Sequence, residues 1–304
     1  MTDRESFSAL LDRVRSWGRW GADDQRGAVN LITPDKVLRA VGLVQLGQTI
    51  SLSRPLPTDP APNNPLPVQQ AMHRTDRPGG GAATDELAMA YHGQATTHLD
   101  ALCHVWVDGK MWNGKDPDAE IGPDGAAWGG VQHWADGIVT RGVLLDVARH
   151  RPHGYVEQDE PVTAEELAAI AARDGVVTEP GDALVIHCGR DAWEAGTGRH
   201  WGASTTSIAD PRPGLDPTCL EYFSHADPSI VVWDMMDVLP GPYGPGNGTH
   251  AALPTQGIGL LDNALLGPLA AACAREGRTD FLVLVAPLVV HGGTGAPVNP
   301  LAVL

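Results

Sequence analysis

The stretch from Gln94 to His104 constrains this chain most, because it places two imidazoles and a carboxylate within seven residues. In an extended strand, alternate side chains point to the same face, so Gln94, Thr96, His98 and Asp100 are expected to share one face. A mixed set of nitrogen and oxygen donors suits a catalytic divalent ion such as Zn2+ or Mn2+. The alternative to a metal site is a set of polar residues on a solvent-exposed loop, because short motifs often match by chance.

A second group of polar residues lies near the C-terminus. Gly248-Thr249-His250 is followed, twelve residues after the histidine, by Asp262 at the end of the apolar run from Gly257 to Leu261. The chain then closes with an apolar run that begins at Phe281 and with a Gly-rich and Pro-rich run from Gly292 to Pro300. With the first motif, this order and spacing resemble the putative cyclase family, which includes bacterial kynurenine formamidase and isatin hydrolase.

The resemblance covers roughly residues 16 to 304 and begins with Trp17-Gly18 and the run from Asp24 to Leu31. The family motif reads H-x-x-x-H-x-D-x-x-x-H, in which the first two histidines and the aspartate hold one metal ion. The resemblance implies that His98 and Asp100 are metal ligands and that His104 is the catalytic histidine. It also implies a second metal site at Asp100, His250 and Asp262, although the family more often has Glu at the last position.

The chain departs from the family motif at the first ligand, where Gln94 stands in place of histidine. Gln94 could bind the ion through its amide oxygen, which favours Mn2+ over Zn2+, or through a water molecule. Alternatively, a local bulge could bring His92 into that position. A protein without a working primary site, retained as a binding protein, is the remaining interpretation.

These residues favour hydrolysis by a metal-activated water with His104 as general acid and base. The expected reaction is cleavage of an amide (C–N) or lactone bond in a small, cyclic or aromatic carbonyl compound. A metal-dependent cyclase or lyase reaction is the alternative within enzymes. A Cys103 thiolate paired with His104 is a further alternative, but adjacent strand residues face opposite sides and free cysteine is usually buried and inert.

An aromatic substrate is suggested by nine tryptophans against three phenylalanines. Trp106, His92 and Trp20 are the candidate substrate-binding residues. Large aromatic side chains are more often part of the core than of a pocket, so this expectation leans on the resemblance as well as on the composition.

The composition restricts partners and location. A net charge of −16 argues against nucleic acids and anionic membranes as partners, which leaves a small molecule. The N-terminus lacks the basic start and apolar core of a signal peptide, and the four cysteines are scattered without a disulfide pattern. A cytoplasmic location is therefore expected.

Hydrophobic periodicity predicts a single α/β domain over residues 1–304. Residues 1–60 are expected to form an N-terminal helix and an arm, with Phe7, Leu10, Leu11, Val14 and Trp17 on one helical stripe. The Pro- and Gly-rich run from Pro55 to Gly81 is expected to be a long loop that acts as an arm or a lid. The resemblance implies a swivelling β/β/α fold and a homodimer or homotetramer in which N-terminal segments contribute to the interface.

Further helices and strands are predicted along the chain. The capping box Thr163 to Glu166 predicts a helix that runs to about Arg173. The remaining predictions are strands at residues 137–147, 181–188, 229–233 and from 281 onwards, and helices at residues 216–223 and 263–275.

Overall fold

The structure of the protein is a computed structural model that describes residues 3–203, 211–243 and 248–304. Its helices are α1 (Asp3–Val14), α2 (Pro34–Val41), α3 (Pro117–Glu120), α4 (Ala164–Asp174), α5 (Arg190–Thr197), α6 (Cys219–Ala226), α7 (Ala252–Gln256) and α8 (Gly267–Glu276). Its strands are β1 (Thr49–Ser51), β2 (Gln69–Arg77), β3 (Gly80–Ala88), β4 (His98–Asp100), β5 (Ile121–Gly122), β6 (Gly125–Ala126), β7 (Ile138–Asp146), β8 (Ala183–His187), β9 (Ile230–Trp233), β10 (Gly259–Asp262), β11 (Asp280–Val285), β12 (Gly295–Pro297) and β13 (Leu301–Val303).

Nine of these strands form one mixed sheet in the order β1-β13-β11-β7-β8-β9-β10-β4-β12. Strands β7 to β10 run parallel to one another, whereas β4 pairs antiparallel with both β10 and β12. The parallel strands are buried apolar runs, as expected where helices cover a sheet. The predicted α/β class with an N-terminal helix is confirmed.

The pairing of β10 with β4 brings the two polar motifs of the sequence together. In that register Asp262 lies opposite His98. Directly opposite residues share one face of a sheet, and so do residues two apart on a strand. Three side chains therefore point to the same side of the sheet where β4 pairs with β10, namely those of His98, Asp100 and Asp262.

Helix α1 packs on its own chain. Its buried stripe of Phe7, Leu10, Leu11 and Val14 follows the predicted pattern and lies against α6 and α7. The helix ends at Val14, so Trp17 lies beyond it and donates its indole N–H to the carbonyl of Pro254 at 2.6 Å. A role of residues 1–60 at an oligomer interface stays a prediction.

The prediction of a loop from Pro55 to Gly81 is wrong in its second half. Residues 69–88 form an antiparallel hairpin of β2 and β3, exposed along both strands. Met72 and Leu87 are its only large apolar residues, so the alternation of apolar and polar residues that signals a strand is absent.

The predicted strands at residues 137–147, 181–188, 229–233 and 281 onwards match β7, β8, β9 and β11. Two helix starts were predicted too early, since α6 begins at Cys219 and α8 at Gly267. The second shift has a clear cause, because Asn263 has a left-handed backbone with φ of 56° and cannot continue into a right-handed helix. The threonine half of the capping box is confirmed, since the Thr163 side chain accepts a hydrogen bond from the Glu166 amide at 3.2 Å, whereas the Glu166 carboxylate accepts from Arg151 at 2.7 Å.

Within the described ranges, no helix has the length and apolar character that crossing a membrane requires.

Hydrogen bonds of the segment from Asp24 to Asn30 attach the N-terminal region to the residues just before β10. The Asp24 carboxylate accepts hydrogen bonds from the Gly27 amide at 2.8 Å and from the Asn30 side chain at 2.6 Å. The Ala28 amide donates to the Gly257 carbonyl at 2.7 Å. Gly27 has φ of +58°, and a Cβ there would lie 2.2 Å from the Gly257 carbonyl oxygen, so only glycine fits.

Gly27→Ala should lower the free energy of unfolding by about 2–4 kcal/mol, through left-handed strain and a backbone clash together. Gly21→Ala is the matched control, because Gly21 also has a positive φ of 94° but has open space around its Cβ position. Urea denaturation of both variants should show a clearly smaller loss for Gly21→Ala. Equal losses would mean that the contact with Gly257 does not matter.

Candidate metal centre

The regular part of β4 is shorter than the sequence predicts. Only His98 to Asp100 are extended strand, and residues 92–97 form an irregular bend. The prediction that Gln94 and Thr96 share a regular strand face with His98 is therefore wrong. Side chains take the place of a neighbouring strand here, because Arg190 donates to the Gln94 carbonyl and Asn263 donates to the carbonyls of Gly93 and Thr96.

The bend brings His92 to Asp100. The Nδ1 atom of His92 lies 2.8 Å from Oδ1 of Asp100, and Nε2 of His98 lies 3.3 Å from the same oxygen. The other nitrogen of each ring is held elsewhere. His98 donates from Nδ1 to the Thr96 carbonyl at 2.8 Å, and Nε2 of His92 lies 2.9 Å from the Thr294 hydroxyl. Both rings thus present one nitrogen to the carboxylate, as metal-binding histidines do.

A second group uses the other oxygen of Asp100. Nε2 of His250 lies 4.0 Å from Oδ2 of Asp100 and 3.2 Å from Oδ2 of Asp262. The remaining oxygen of Asp262 accepts the indole N–H of Trp233 at 2.6 Å, and Nδ1 of His250 contacts Asp237. In each group, the three candidate ligand atoms lie within 4.8 Å of one another. Asp100 belongs to both groups.

The surroundings of Asp100 fit a metal centre. Asp100 is fully buried, and ring nitrogens lie close to its carboxylate, with Nδ1 of His92 at 2.8 Å and Nε2 of His98 at 3.3 Å. A buried carboxylate is costly unless it is paired or coordinates a metal, and these histidines can share an ion with it. Nitrogen and oxygen donors in this mixture suit Zn2+ or Mn2+.

The pKa values show how strongly the groups depend on one another. Burial disfavours the charged form of both His98 and Asp100, but each opposes this effect in the other. Asp100 raises the pKa of His98 to about 9, while His98 and His104 hold the pKa of Asp100 well below its usual range. Burial also opposes the charge on His250, yet Asp237 and Asp262 raise its pKa well above the usual value.

His104 lies at the edge of both groups. Its Nε2 is 3.7 Å from Oδ2 of Asp100, and its ring stacks on His92 with centroids 3.9 Å apart. Its side chain is 26% exposed to solvent, so it can contact a molecule that approaches from solvent. Burial lowers the pKa of His104 to about 4; the Asp100 carboxylate opposes this effect, whereas the neighbouring His92 and His250 rings add to it. The ring is therefore neutral at pH 7, and one of its nitrogens is free to accept a proton.

Gln94 is placed differently from His92. Its main-chain carbonyl accepts a hydrogen bond from Arg190 at 2.6 Å, and its side chain packs against Gly202, where a Cβ would lie 2.7 Å from Cγ of Gln94. Its side-chain oxygen is buried without a partner. The bulge that brings His92 to the centre is thus the arrangement the structure favours, while ligation by Gln94 stays a prediction.

The remaining candidates fall in different places. Trp106 follows His104 by two residues and is 50% exposed. Trp20 stacks against the buried Trp112, 6.0 Å away between centroids, with Arg19 over its ring. The thiol of Cys103 is buried, which raises its pKa to about 12 and argues against a thiolate nucleophile at neutral pH.

Three residues that touch the candidate ligands were missed by the sequence analysis. Asp237 and Trp233 contact His250 and Asp262, and Thr294 contacts His92. Asp237 had a usable signal, because an acidic residue shortly after a buried parallel strand lies at the carboxyl end of the sheet, where ligands bind. Thr294 lies in the Gly-rich run, but its spacing gave no indication of this contact.

Comparisons with known proteins find a matching family and matching folds. The sequence profile of the family described as putative cyclase matches residues 44–238. A crystal structure described as a novel cyclase is 29% identical, with a TM-score of 0.82 over 95% of this chain and 99% of that one. No curated protein matches the sequence.

Two more distant structures share the fold. Isatin hydrolase A from Labrenzia aggregata, bound to benzyl benzoate, is 19% identical, with a TM-score of 0.60 over 86% of this chain and 94% of that one. An isatin hydrolase bound to the product analogue thioisatinate is 16% identical, with a TM-score of 0.54 over 90% of this chain and 99% of that one.

His92→Ala should weaken Mn2+ binding strongly, because it removes a ring nitrogen 2.8 Å from the Asp100 carboxylate. Gln94→Ala is the matched variant, and it should bind Mn2+ within about threefold of the wild type, since the Gln94 side chain is then neither a ligand nor a hydrogen-bond partner of one, and only such groups control affinity strongly. Titration calorimetry with Mn2+ measures both. If Gln94→Ala lost the metal and His92→Ala kept it, the assignment of the first ligand would be reversed.

Proposed function

The chain belongs to the putative cyclase family, and on that premise we propose that it is a metal-dependent hydrolase. It cleaves an amide (C–N) or lactone bond of a small, cyclic or aromatic carbonyl compound. The observation that supports this proposal most is the Asp100 carboxylate, which is fully buried, surrounded by histidine ring nitrogens and shared by two His/Asp groups.

The residues that would hold the metal follow from the geometry. His92, His98 and Asp100 would hold one divalent ion, and Asp100, His250 and Asp262 a second. Bound Mn2+ or Zn2+ would polarise the substrate carbonyl and lower the pKa of a water molecule towards neutrality. Trp233 and Asp237 orient Asp262 and His250, and Thr96 fixes the ring of His98.

In this proposal His104 moves the proton. The neutral ring accepts a proton from the attacking water as the new carbon–oxygen bond forms. The resulting imidazolium donates that proton to the leaving nitrogen or oxygen as the old bond breaks, which restores the neutral ring. The pKa of about 4 makes the protonated ring a stronger acid and the neutral ring a weaker base than free imidazole, so it favours the second step over the first.

The proposed substrate class has two supports. The half-exposed Trp106 lies two residues after His104 in the sequence and is an aromatic side chain that a substrate could contact. The isatin hydrolases that share the fold are named for a bicyclic aromatic lactam. A cyclic amide is therefore the first compound class to test.

We also propose that the chain forms a homodimer or homotetramer in the cytoplasm. The β2–β3 hairpin is exposed along both strands, and an isolated two-stranded hairpin is only marginally stable in water. Its exposed Met72 and Leu87 would be covered by a second copy of the chain. All four cysteines are free and buried, as suits a reducing compartment.

His104→Ala should keep Mn2+ and lower kcat by about 10²–10⁴-fold, the usual contribution of a general acid–base residue. Initial rates on N-formyl amides, cyclic amides and lactones, measured in saturating Mn2+, test this. His153→Ala is the control, because His153 is 61% exposed and pairs only loosely with Glu157 at 3.7 Å. Full activity of His104→Ala would exclude the proposed role.

A further inference from the structure

Asn263, the residue after Asp262, links two segments that carry candidate metal ligands. Its side-chain nitrogen donates to the Gly93 carbonyl at 2.8 Å and to the Thr96 carbonyl at 3.0 Å. Its side-chain oxygen accepts from Nη1 of Arg190 at 2.7 Å. Asn263 is fully buried and has φ of 56°, so its backbone turns away from β10 while its amide reaches the bend before β4.

Arg190 holds the same bend from the other side. Its guanidinium donates from Nη2 to the Gln94 carbonyl at 2.6 Å and from Nε to Glu194 at 3.0 Å. Arg190 is itself fixed, because the buried carboxylate of Asp234 accepts the amide of Arg190 at 3.0 Å together with the amides of residues 188 and 189. The start of α5 is thus bound to the end of β9.

The contact reaches a candidate ligand through one atom. The Thr96 carbonyl that accepts from Asn263 also accepts Nδ1–H of His98 at 2.8 Å. That bond decides which nitrogen of His98 carries the proton and leaves Nε2 to face Asp100. The carbonyls of Gly93 and Gln94, held by Asn263 and Arg190, belong to the bend that turns His92 towards the same carboxylate.

We propose that Asn263 and Arg190 are positioning residues for the metal centre. They hold the bend of residues 93–96 so that His92 and His98 present their free nitrogens to Asp100. The proposal rests on the proposed function, because it assigns these residues a task in binding the metal. It goes beyond that function by explaining how an irregular segment without strand pairing holds a fixed pair of ligands.

Asn263→Gly tests this most cleanly, because glycine keeps the left-handed backbone and removes only the amide. Asn113→Gly is the matched control. Asn113 also has a left-handed φ of 57°, and its side chain also makes three hydrogen bonds, to Gly18, Gly21 and Asp24. Three quantities are measured on each: the Kd for Mn2+, the visible absorption spectrum of the Co2+ form, and the Tm of the metal-free protein.

Asn263→Gly should bind Mn2+ about 10–100-fold more weakly and change the Co2+ spectrum, as loss of an outer partner of a metal ligand does. Asn113→Gly should lower Tm but leave the Kd and the spectrum unchanged. The proposal is overturned if Asn263→Gly binds Mn2+ like the wild type, or if both variants weaken binding equally.

Two further outcomes are informative. If Asn263→Gly does not fold, Arg190→Lys takes its place, since lysine keeps the charge but lacks the planar guanidinium fork whose two Nη atoms bond Asn263 and the Gln94 carbonyl. It is expected to weaken Mn2+ binding and change the Co2+ spectrum, and unchanged values would overturn the proposal. If the wild type binds neither Mn2+ nor Co2+, the proposed function fails and this inference fails with it. If the wild type binds the metal, the proposed function is retained, and the metal binding of the variants alone then decides this inference.

Discussion

A single buried carboxylate organises this protein. Asp100 is the fully buried last residue of the short strand β4, and its two oxygens face the rings of His92, His98, His104 and His250 within 4.0 Å. Removing a carboxylate from water costs several kcal/mol unless positive charge and good geometry compensate for it. The arrangement around Asp100 supplies that charge from histidines, and a divalent ion would supply more.

The fold provides the surroundings that such a group needs. Parallel strands β7 to β10 form the rigid interior, and β4 is added antiparallel beside β10, so Asp262 comes opposite His98. Two acidic residues follow β9. Asp234 accepts a backbone amide at the start of α5, and Asp237 contacts the ring of His250. The centre is built at the carboxyl ends of the parallel strands, where open α/β sheets commonly bind ligands.

Several strands, one helix and four candidate ligands could be predicted from the sequence, for different reasons. The strands β7, β8, β9 and β11 are buried apolar runs, and the helix at Thr163 has a capping box, so local pattern was sufficient. His98, Asp100, His250 and Asp262 were found because their order and spacing resemble a known family. Their convergence on one carboxylate depends on the β10–β4 register, which no local pattern encodes.

The failures have different causes. The bend before β4 exists because Arg190 and Asn263, about 100 and 170 residues away, occupy its carbonyls, so periodicity wrongly suggested a regular strand through Gln94. The β2–β3 hairpin has too few large apolar residues to give an alternating strand signal. The contact made by Trp233 depends on the pairing of β9 with β10, whereas Asp237 follows a buried strand and could have been proposed from the sequence.

The most direct test of this account is the metal content per chain, measured by plasma mass spectrometry on wild type and Asp100→Asn purified without added metal or affinity nickel. Asn has nearly the shape of Asp but lacks the charge that both ligand groups share. The account predicts about one or two equivalents of Mn or Zn in the wild type, since one or two ions fit the donor sets, and almost none in the variant. Equal metal content in both proteins would contradict it, because the ion would then bind without the carboxylate on which the whole centre depends.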